Sequence, residues 1–314
     1  MESPFPFSDD NKRYHTYAYF LKRRYGGRVA RVPLDGGFSC PNRDGTKGAG
    51  GCAFCSGRGS GDQIPALPSL REQYAAGRAK LAEKWPDARY IPYLQAFSGT
   101  YAPIRRLCAV YEEALRLPGA VGLAVATRAD CVTEDAAELL AEIAARTDLT
   151  VELGLQTASD ETARRIGRCE TRAEFLEGFA RLRARKVPVW VHLINGLPGE
   201  TPEDMRASAQ FVAGLGVQGI KMHLLHVLRG TPLASAYLEG QLPVLLREDY
   251  VSVVCDQLEL LPPSMVIGRL TGDGAAAELL APLWSRRKRE VLNAIDRELV
   301  RRDSWQGKRY CRTK

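Results

Sequence analysis

The chain has 314 residues, 45% hydrophobic and 26% charged, so it can bury a substantial core and has the composition of a globular enzyme. No apolar run approaches the 18 residues of a membrane-spanning helix, and the first residues, MESPFPFSDD, lack a secretory apolar segment, so we expect a cytoplasmic protein. The net charge of +7 lies in residues 282–314, which hold 11 Lys and Arg against 4 acids, while the rest of the chain has 33 of each.

Between residues 28 and 227, β-rich runs alternate with helical patterns. Six strands are predicted at 28–35, 90–97, 121–127, 150–157, 188–195 and 219–227. Helices are predicted between them at 69–84, 103–117, 133–146, 172–186 and 203–215. This alternation predicts βαβ units and a parallel sheet. Six units suit a partial (β/α)6 TIM-like barrel or an open doubly wound sheet, because a closed barrel of the usual kind needs eight.

After residue 227 the pattern changes. We predict a helix at 247–261, a short strand with the sequence MVIGRL, a loop at 271–274 and a long basic helix at 275–302. These boundaries divide the chain into an N-terminal extension (1–27), a barrel core (28–235) and a mostly helical, basic C-terminal extension (236–314). The basic tail at 286–314 suits a polyanionic partner, and it suits a solvated helix face equally well.

Three cysteines, Cys40, Cys52 and Cys55, form a C-x11-C-x2-C group in a glycine-rich stretch. Thiolates are the standard ligands of iron–sulfur clusters, and a cluster held by three of them keeps one iron open. A structural zinc site normally has four ligands, and the chain offers only one Cys-x2-Cys pair, but zinc remains an alternative for the cysteines alone. The other five cysteines are scattered, and we expect Cys169, which follows Arg168, to be inert.

Polar and glycine-rich residues follow the end of each predicted strand. In chain order they are the cysteine loop, Ser98-Gly99-Thr100, Thr127-Arg128-Ala129-Asp130, Gln156-Thr157, Asn195 to Glu200, and Arg229-Gly230-Thr231. Ligands bind at the carboxyl ends of the strands in both candidate architectures. The sequence therefore predicts one binding site at this face of the sheet.

Together these motifs resemble the radical S-adenosylmethionine (SAM) superfamily, with x11 in place of the x3 that is most common there. They are VPLDGGFSCPNRDGTKGAGGCAFCSGRGSGD, YLQAFSGTYAP, VELGLQT, HLINGLPGET, RLTGDG and DSWQGK. Within the superfamily the chain is similar to a bacterial subgroup related to the elongator catalytic subunit and to oxygen-independent coproporphyrinogen oxidase. The resemblance extends from about residue 14 to about residue 308.

The resemblance implies a 4Fe–4S cluster on Cys40, Cys52 and Cys55, with SAM bound at the open iron and cleaved reductively to a 5′-deoxyadenosyl radical. An electron donor such as flavodoxin or ferredoxin would supply the electron. The residues implied to contact SAM are Phe54, Ser98, Gly99, Thr100, Gln156, Arg168, His192, Asn195 and Gly196. Arg168 has a direct rationale, since a guanidinium pairs with a carboxylate through two hydrogen bonds. Gln156 and His192 could instead be satisfied structural residues.

Glu152 shares a strand face with Gly154 and Gln156 and could therefore enter the site. A buried carboxylate there needs a partner, which the sequence does not identify.

Three hypotheses about the function remain open. The first is radical chemistry on a tRNA wobble uridine side chain, with the tail 286–314 following phosphates. The second is a radical SAM enzyme for a small metabolite. The third is a zinc-stabilised RNA-binding module, against which the strand-end motifs count strongly. No residue is assigned to catalysis on the substrate.

Overall fold

The computed structural model describes residues 4–272 and 277–311. The strands are Val29–Leu34 (β1), Arg89–Leu94 (β2), Gly122–Thr127 (β3), Asp148–Gln156 (β4), Val189–Asn195 (β5), Gly219–Leu224 (β6), Val227–Leu228 (β7), Val266–Arg269 (β8) and Leu279–Ala281 (β9). The α-helices are Tyr17–Tyr25 (α1), Leu70–Ala82 (α2), Ile104–Leu115 (α3), Glu134–Arg146 (α4), Asp160–Arg165 (α5), Arg172–Ala184 (α6), Pro202–Leu215 (α7), Pro232–Leu238 (α8), Arg247–Leu260 (α9) and Lys288–Arg301 (α10). Short 3₁₀ helices cover Ala129–Cys131 and Leu283–Arg286.

Seven strands form one parallel sheet in the order β1-β2-β3-β4-β5-β6-β8. The six predicted βα units are present, and their boundaries differ from the predictions by a few residues. The short strand predicted from MVIGRL is β8, which joins this sheet as its seventh strand. A separate antiparallel ribbon pairs β7 with β9.

Contacts across the inner face show that the sheet is curled. Arg31 on β1 donates to Glu152 on β4, and Lys221 Nζ on β6 lies 3.5 Å from Tyr93 Oη on β2. Neighbouring strands are spaced by about 4.8 Å, so side chains four strands apart would lie about 19 Å apart in a flat sheet. The sheet is therefore a half-barrel, and the predicted α/β partial-barrel fold is confirmed.

The outer face of the sheet is covered by amphipathic helices whose starts are set by local capping. Ser69 with Glu72, Thr171 with Glu174 and Thr201 with Asp204 form capping boxes at the starts of α2, α6 and α7. The core between helices and sheet includes Tyr111, Leu140 and Phe175, all fully buried. On one side α9 packs against α7, and α10 packs against α9.

The C-terminal region departs from the prediction. The helix expected to start at 275 starts at Lys288, because residues 279–281 form β9 and Pro282 follows directly with no N–H to donate. The strand expected at 219–227 ends at Leu224, and β7 then turns away to pair with β9. Three predicted features extend outside the described residues. They are the end of the RLTGDG motif (273–274), the start of the predicted basic helix (275–276) and the last residues of the tail (312–314).

No helix in the described parts of the chain is long and apolar enough to cross a membrane.

Candidate active site

A cavity of about 290 Å³ opens where the strands of the half-barrel end. The cysteine loop after β1 forms one wall, and residues at the ends of β2, β3 and β4 form others, namely Ser98, Thr127, Arg128 and Gln156. The predicted convergence of strand-end residues is thus observed for these four segments.

The three cysteines all line this cavity, with Cys52 buried and Cys40 and Cys55 half-buried. Arg43 holds the loop by donating to the carbonyl oxygens of Ser56 and Gly57. Burial and the neighbouring Cys52 raise the pKa of the Cys55 thiol to about 11, although Arg43 opposes them.

Another part of the loop is held in place by the buried side chain of Asn42. Its amide nitrogen donates to Gly167 O at 2.6 Å and lies 3.4 Å from Cys52 Sγ. Among the described residues, no group of three His, Cys, Asp or Glu side chains is arranged to hold one metal ion. The thiols instead face a shared cavity. This arrangement suits an iron–sulfur cluster, because each cysteine there ligates a different iron.

Besides His223 Nε2, two buried polar atoms in the cavity have no hydrogen-bond partner, Ser98 Oγ and Arg168 Nε. The Nη2 atom of Arg168 is occupied, since it donates to Glu170 Oε2 at 2.5 Å and to Gly154 O. A buried unpaired donor is costly, so these two atoms indicate a polar ligand with acceptor oxygens. They match the groups expected to bind the amino-acid part of SAM.

The position of Arg168 is fixed by a second arginine, Arg128. Its Nη1 donates to Arg168 O at 2.9 Å, and its guanidinium forms two hydrogen bonds with Asp130, at 2.9 and 2.8 Å. Burial would raise the pKa of Asp130, but Arg128 and Lys47 outweigh it and lower this pKa to about 2. The pair is therefore ionised and rigidly held beside the cavity.

Five of the nine residues predicted to contact SAM line the cavity, namely Phe54, Ser98, Gln156, Arg168 and His192. Gln156 has φ of 71° and follows an irregularity in the β4–β5 pairing, so the strand end is turned from its regular direction.

The other four, Gly99, Thr100, Asn195 and Gly196, are not among the residues that line the cavity. Gly99 O accepts from Tyr111 Oη at 2.6 Å, and Thr100 Oγ1 lies 2.6 Å from Thr127 Oγ1. The Asn195 amide is paired with the side chain of Gln257, while Leu245 packs close to Gly196. Their contacts with SAM stay predictions, and the hydrogen bonds give three of these residues a structural role.

Glu152 does enter the site, and its partners come from four strands. Its Oε1 accepts from Arg31, while Tyr93 Oη, Lys221 Nζ and His192 Nε2 lie 2.5, 2.6 and 2.8 Å from its Oε2. The Glu152 side chain is fully buried. We call these five residues the inner polar layer.

Charge in the inner polar layer is strongly coupled. Burial alone would raise the pKa of Glu152, but Arg31, Lys221 and His192 hold it well below its usual value. Burial lowers the pKa of Lys221 to about 7, with Glu152 opposing the change and Arg31 and Arg269 adding to it. Burial also lowers the pKa of His192, so this imidazole is neutral.

Sequence reasoning missed Arg31, Tyr93 and Lys221 as site residues. A signal was present, since Arg31 and Lys221 are single charges within otherwise apolar strand segments, VARVPL and GIKMHL. A charged residue in a buried strand needs a partner, so these residues and Glu152 could have been matched.

Comparisons with known proteins agree with this geometry. Residues 44–212 match the family described as the Radical SAM superfamily, and residues 217–301 match the Radical_SAM C-terminal domain. The chain is 48% identical to the YtqA protein of Bacillus subtilis over 313 residues, which cover 99% of this chain and 97% of YtqA.

Two more distant similarities concern part of a larger protein and a solved structure. The chain is 28% identical over 169 residues to a tRNA uridine(34) acetyltransferase of Dehalococcoides mccartyi, covering 52% of this chain and 36% of that protein. Its fold is similar to that of the archaeal Methanocaldococcus infernus Elp3 with a deleted N-terminus, with a TM-score of 0.64 at 16% identity, covering 88% of this chain and 64% of the other.

Proposed function

The chain belongs to the radical SAM superfamily, and we propose that it acts on the side chain of a tRNA wobble uridine. Its cofactors are a 4Fe–4S cluster and SAM. When bound, the reduced cluster supplies the electron that splits SAM into methionine and a 5′-deoxyadenosyl radical, which abstracts hydrogen from the substrate. An external reductant such as flavodoxin or ferredoxin is the partner this chemistry requires.

The observation that carries the radical SAM part of the proposal is the joint lining of one cavity by three thiols and by the unpaired atoms Ser98 Oγ and Arg168 Nε. Cys40, Cys52 and Cys55 would hold the cluster, and Ser98 Oγ and Arg168 Nε would bind the amino-acid part of SAM. Members of the superfamily need a cofactor cavity of this kind. The presence of such a cavity therefore argues against a zinc-stabilised binding module.

The chain's own residues would prepare this site for binding. Arg128 holds the backbone carbonyl of Arg168, and Glu170 and Gly154 O hold its guanidinium before any ligand arrives, so little side-chain freedom is lost when a carboxylate binds. Phe54 packs against the apolar cluster of Ile166, Leu197 and Leu225, which shields this side of the cavity from water.

Two observations favour tRNA as the substrate. One is the similarity to a protein named tRNA uridine(34) acetyltransferase. The other is the C-terminal tail, where part of the basic excess faces solvent. The exposed basic residues of the tail are Arg286, Arg287, Arg289, Arg297, Arg301, Lys308 and Arg309. Arg302 differs from them in being half-buried, with its guanidinium 2.6 Å from both Asp256 and Glu298. Arg287, Arg301 and Arg309 also have acidic partners, Glu290, Glu298 and Glu259, but they remain exposed.

The test is mass spectrometry of tRNA nucleosides from a strain that lacks the gene. We expect one wobble-uridine modification to change, and plasmid-borne wild-type protein to restore it. A Cys52→Ala variant should fail to restore it, while Cys108→Ala, which alters an exposed cysteine outside the cavity, should succeed. A nucleoside profile identical to that of the parent strain would refute the tRNA proposal.

A small metabolite is the second candidate substrate. A separate cavity of about 600 Å³ favours it, because this cavity adjoins the one that contains the cysteines and has a volume within the range of about 300–1,000 Å³ typical of small-molecule sites. An unchanged tRNA profile together with radical-dependent SAM cleavage by the purified protein would select this candidate.

A further inference from the structure

A second cavity, of about 600 Å³, lies between the first and last strands of the half-barrel. Its walls come from α1, β1, α2 and β8, so it occupies the gap that a closed barrel would not have. We call it the lateral groove. It shares four lining residues with the cysteine cavity, Tyr93, Gln95, Lys221 and Arg269, and the two spaces therefore meet at the inner polar layer.

The charges around this junction are unequal. Among the described residues that line either space, Glu152 is the one carboxylate. It is shared by two cations, Arg31 and Lys221, and Arg269 lines both spaces beside them. Two cations that share one buried carboxylate leave positive charge without a counter-charge, which is costly in a low-dielectric interior.

Two nitrogen atoms at or beside the junction, Lys221 Nζ and His223 Nε2, have unused hydrogen-bonding capacity. A lysine ammonium has three N–H groups, and the described partners of Lys221 are two, Glu152 Oε2 at 2.6 Å and Tyr93 Oη at 3.5 Å. His223 lines the cysteine cavity, and its buried Nε2 has no hydrogen-bond partner. His223 lies two residues after Lys221 on β6, so both side chains point to the same face of the sheet.

We propose that Lys221 and His223 form a binding site for an anionic group of the substrate, a carboxylate or a phosphate. This site rests on the proposed function, because it presents the substrate to the radical generated in the adjoining cavity. The SAM carboxylate has its own guanidinium, Arg168, which leaves the anion at Lys221 to the substrate. The lateral groove, with Arg28 and Lys80 on its walls, is the route by which a negatively charged substrate reaches this site.

The lowered pKa of Lys221 agrees with this assignment. Burial and the neighbouring guanidinium groups disfavour the ammonium even though Glu152 favours it. An anion arriving at the junction would supply the missing negative charge and restore the charged form.

The experiment is isothermal titration calorimetry on the anaerobic, cluster-loaded protein with SAM bound and no reductant, so that SAM stays intact. Sodium acetate and inorganic phosphate are titrated separately at constant ionic strength and slightly acidic pH. We expect saturable binding of at least one anion, weakened about 10-fold or more by Lys221→Met, since a hydrogen bond to a charged group contributes about 1.5–3 kcal/mol. Lys221→Arg should keep most of the affinity, and Lys186→Met, which removes an exposed lysine, should keep all of it.

The two anions distinguish the possible sources. Tighter binding of acetate identifies a carboxylate on the substrate, and tighter binding of phosphate identifies a nucleotide phosphate. Absence of binding by the wild type, or equal binding by the wild type and Lys221→Met, would overturn the proposal. If Lys221→Met does not fold, His223→Phe provides the test, with an expected loss of several-fold.

Failure of the proposed function would look different. It would appear as an unchanged tRNA profile or as no SAM cleavage by the wild type after reduction. The titration involves neither tRNA nor reductant, so its outcome is independent of both.

Discussion

Lys221 Nζ lies 2.6 Å from Glu152 Oε2, although the two residues sit on strands separated by β5. The same carboxylate also binds Arg31 from β1, Tyr93 from β2 and His192 from β5. One glutamate thus links five strands of the half-barrel from inside. Glu152 therefore stabilises the curvature of the sheet and also lines the bottom of the candidate active site.

Replacing Glu152 with glutamine should destabilise the protein strongly. The substitution leaves Arg31 buried without a counter-charge, and breaking a buried pair on one side costs about 3–5 kcal/mol. The change is measured as a lower urea midpoint of the cluster-loaded protein under anaerobic conditions.

The matched control for this variant is Glu161→Gln, which breaks the exposed pair between Glu161 and Arg165 on α5. Exposed pairs of this kind contribute only about 0.3–0.5 kcal/mol. If Glu152→Gln lowers the midpoint no more than this control does, the inner polar layer does not hold the half-barrel together.

Anion binding at the junction should weaken as the pH rises through about 7. Lys221 binds an anion in its protonated form, which predominates below its pKa of about 7 and is lost above it. The measurement is the acetate or phosphate titration repeated about one pH unit below and above this value. Lys221→Arg should show a flat profile, because an arginine stays protonated.

The other titratable groups around Lys221 would not cause this loss of anion binding as the pH rises through about 7. Burial lowers the pKa values of His192 and His223, so neither imidazole loses a proton above neutral pH. The pKa of Glu152 is held low by Arg31 and Lys221 against the effect of burial, and burial raises those of Tyr93 and Tyr17. Arg31 and Arg269 add guanidinium charges that do not change in this range. An affinity of the wild type that is independent of pH would exclude Lys221 as the anion ligand.

Arg168→Lys should weaken SAM binding about 10-fold while the iron content stays unchanged. Lysine keeps the charge near Glu170 but lacks the Nε donor that has no partner in the cavity, and it loses the forked geometry that matches a carboxylate. Equilibrium binding of SAM to the oxidised protein measures the effect. Arg164→Lys, at an exposed position on the preceding helix α5, should leave the affinity unchanged. Equal SAM affinities of the wild type and Arg168→Lys would contradict the assignment.

The strands and their parallel arrangement could be predicted because local patterns encode them. Apolar runs alternate with helical segments from β1 to β6, and most of these helices begin directly after a capping Ser or Thr. The cysteines were found for a similar reason, since a short motif identifies them, whereas Arg168 was assigned through the resemblance to the superfamily. Pro282 was the local signal that the predicted basic helix at 275–302 ignored.

The inner polar layer could not be assembled in the same way, because its contacts are distant along the chain. Arg31 lies 121 residues from Glu152, Lys221 lies 69, and Tyr93 lies 59. Which charges meet depends on the curl of the sheet, a property of all seven strands together. Asn195 illustrates the same limit, since its partner Gln257 comes from α9, 62 residues later.

Gly178→Ala should destabilise the protein, and Gly214→Ala should not. A Cβ at Gly178 on α6 would lie 2.0 Å from Ala129 O, in the segment that positions Arg128. Overpacking of this kind costs about 1–3 kcal/mol. A Cβ at Gly214 on α7 would meet no neighbouring atom, and alanine is favoured there by about 0.4–1 kcal/mol. Thermal unfolding of both variants measures the difference, and equal midpoints would show that α6 can shift away from Ala129.

The affinity for tRNA should fall as the salt concentration rises if the C-terminal tail binds phosphates. This dependence should be less steep when basic residues of the tail are replaced. Point substitutions are needed here because the tail is part of the fold. Val291, Ile295 and Leu299 of α10 are fully buried, and Gln306 donates to Pro262 O and Met265 O. Deleting residues 286–314 would therefore unfold the protein rather than remove a binding surface.

The informative variant is the double substitution Arg289→Ala with Arg297→Ala, both at exposed positions of α10. Each lost phosphate contact should reduce the slope of log K against log salt by about 1. The control removes two arginines elsewhere, Arg116→Ala with Arg146→Ala, which both pair with Glu112. Filter binding of tRNA over a range of salt concentrations gives both slopes. A slope that falls equally in the two double variants would assign binding to the overall charge of the protein, whereas a fall confined to the α10 variant assigns it to the tail.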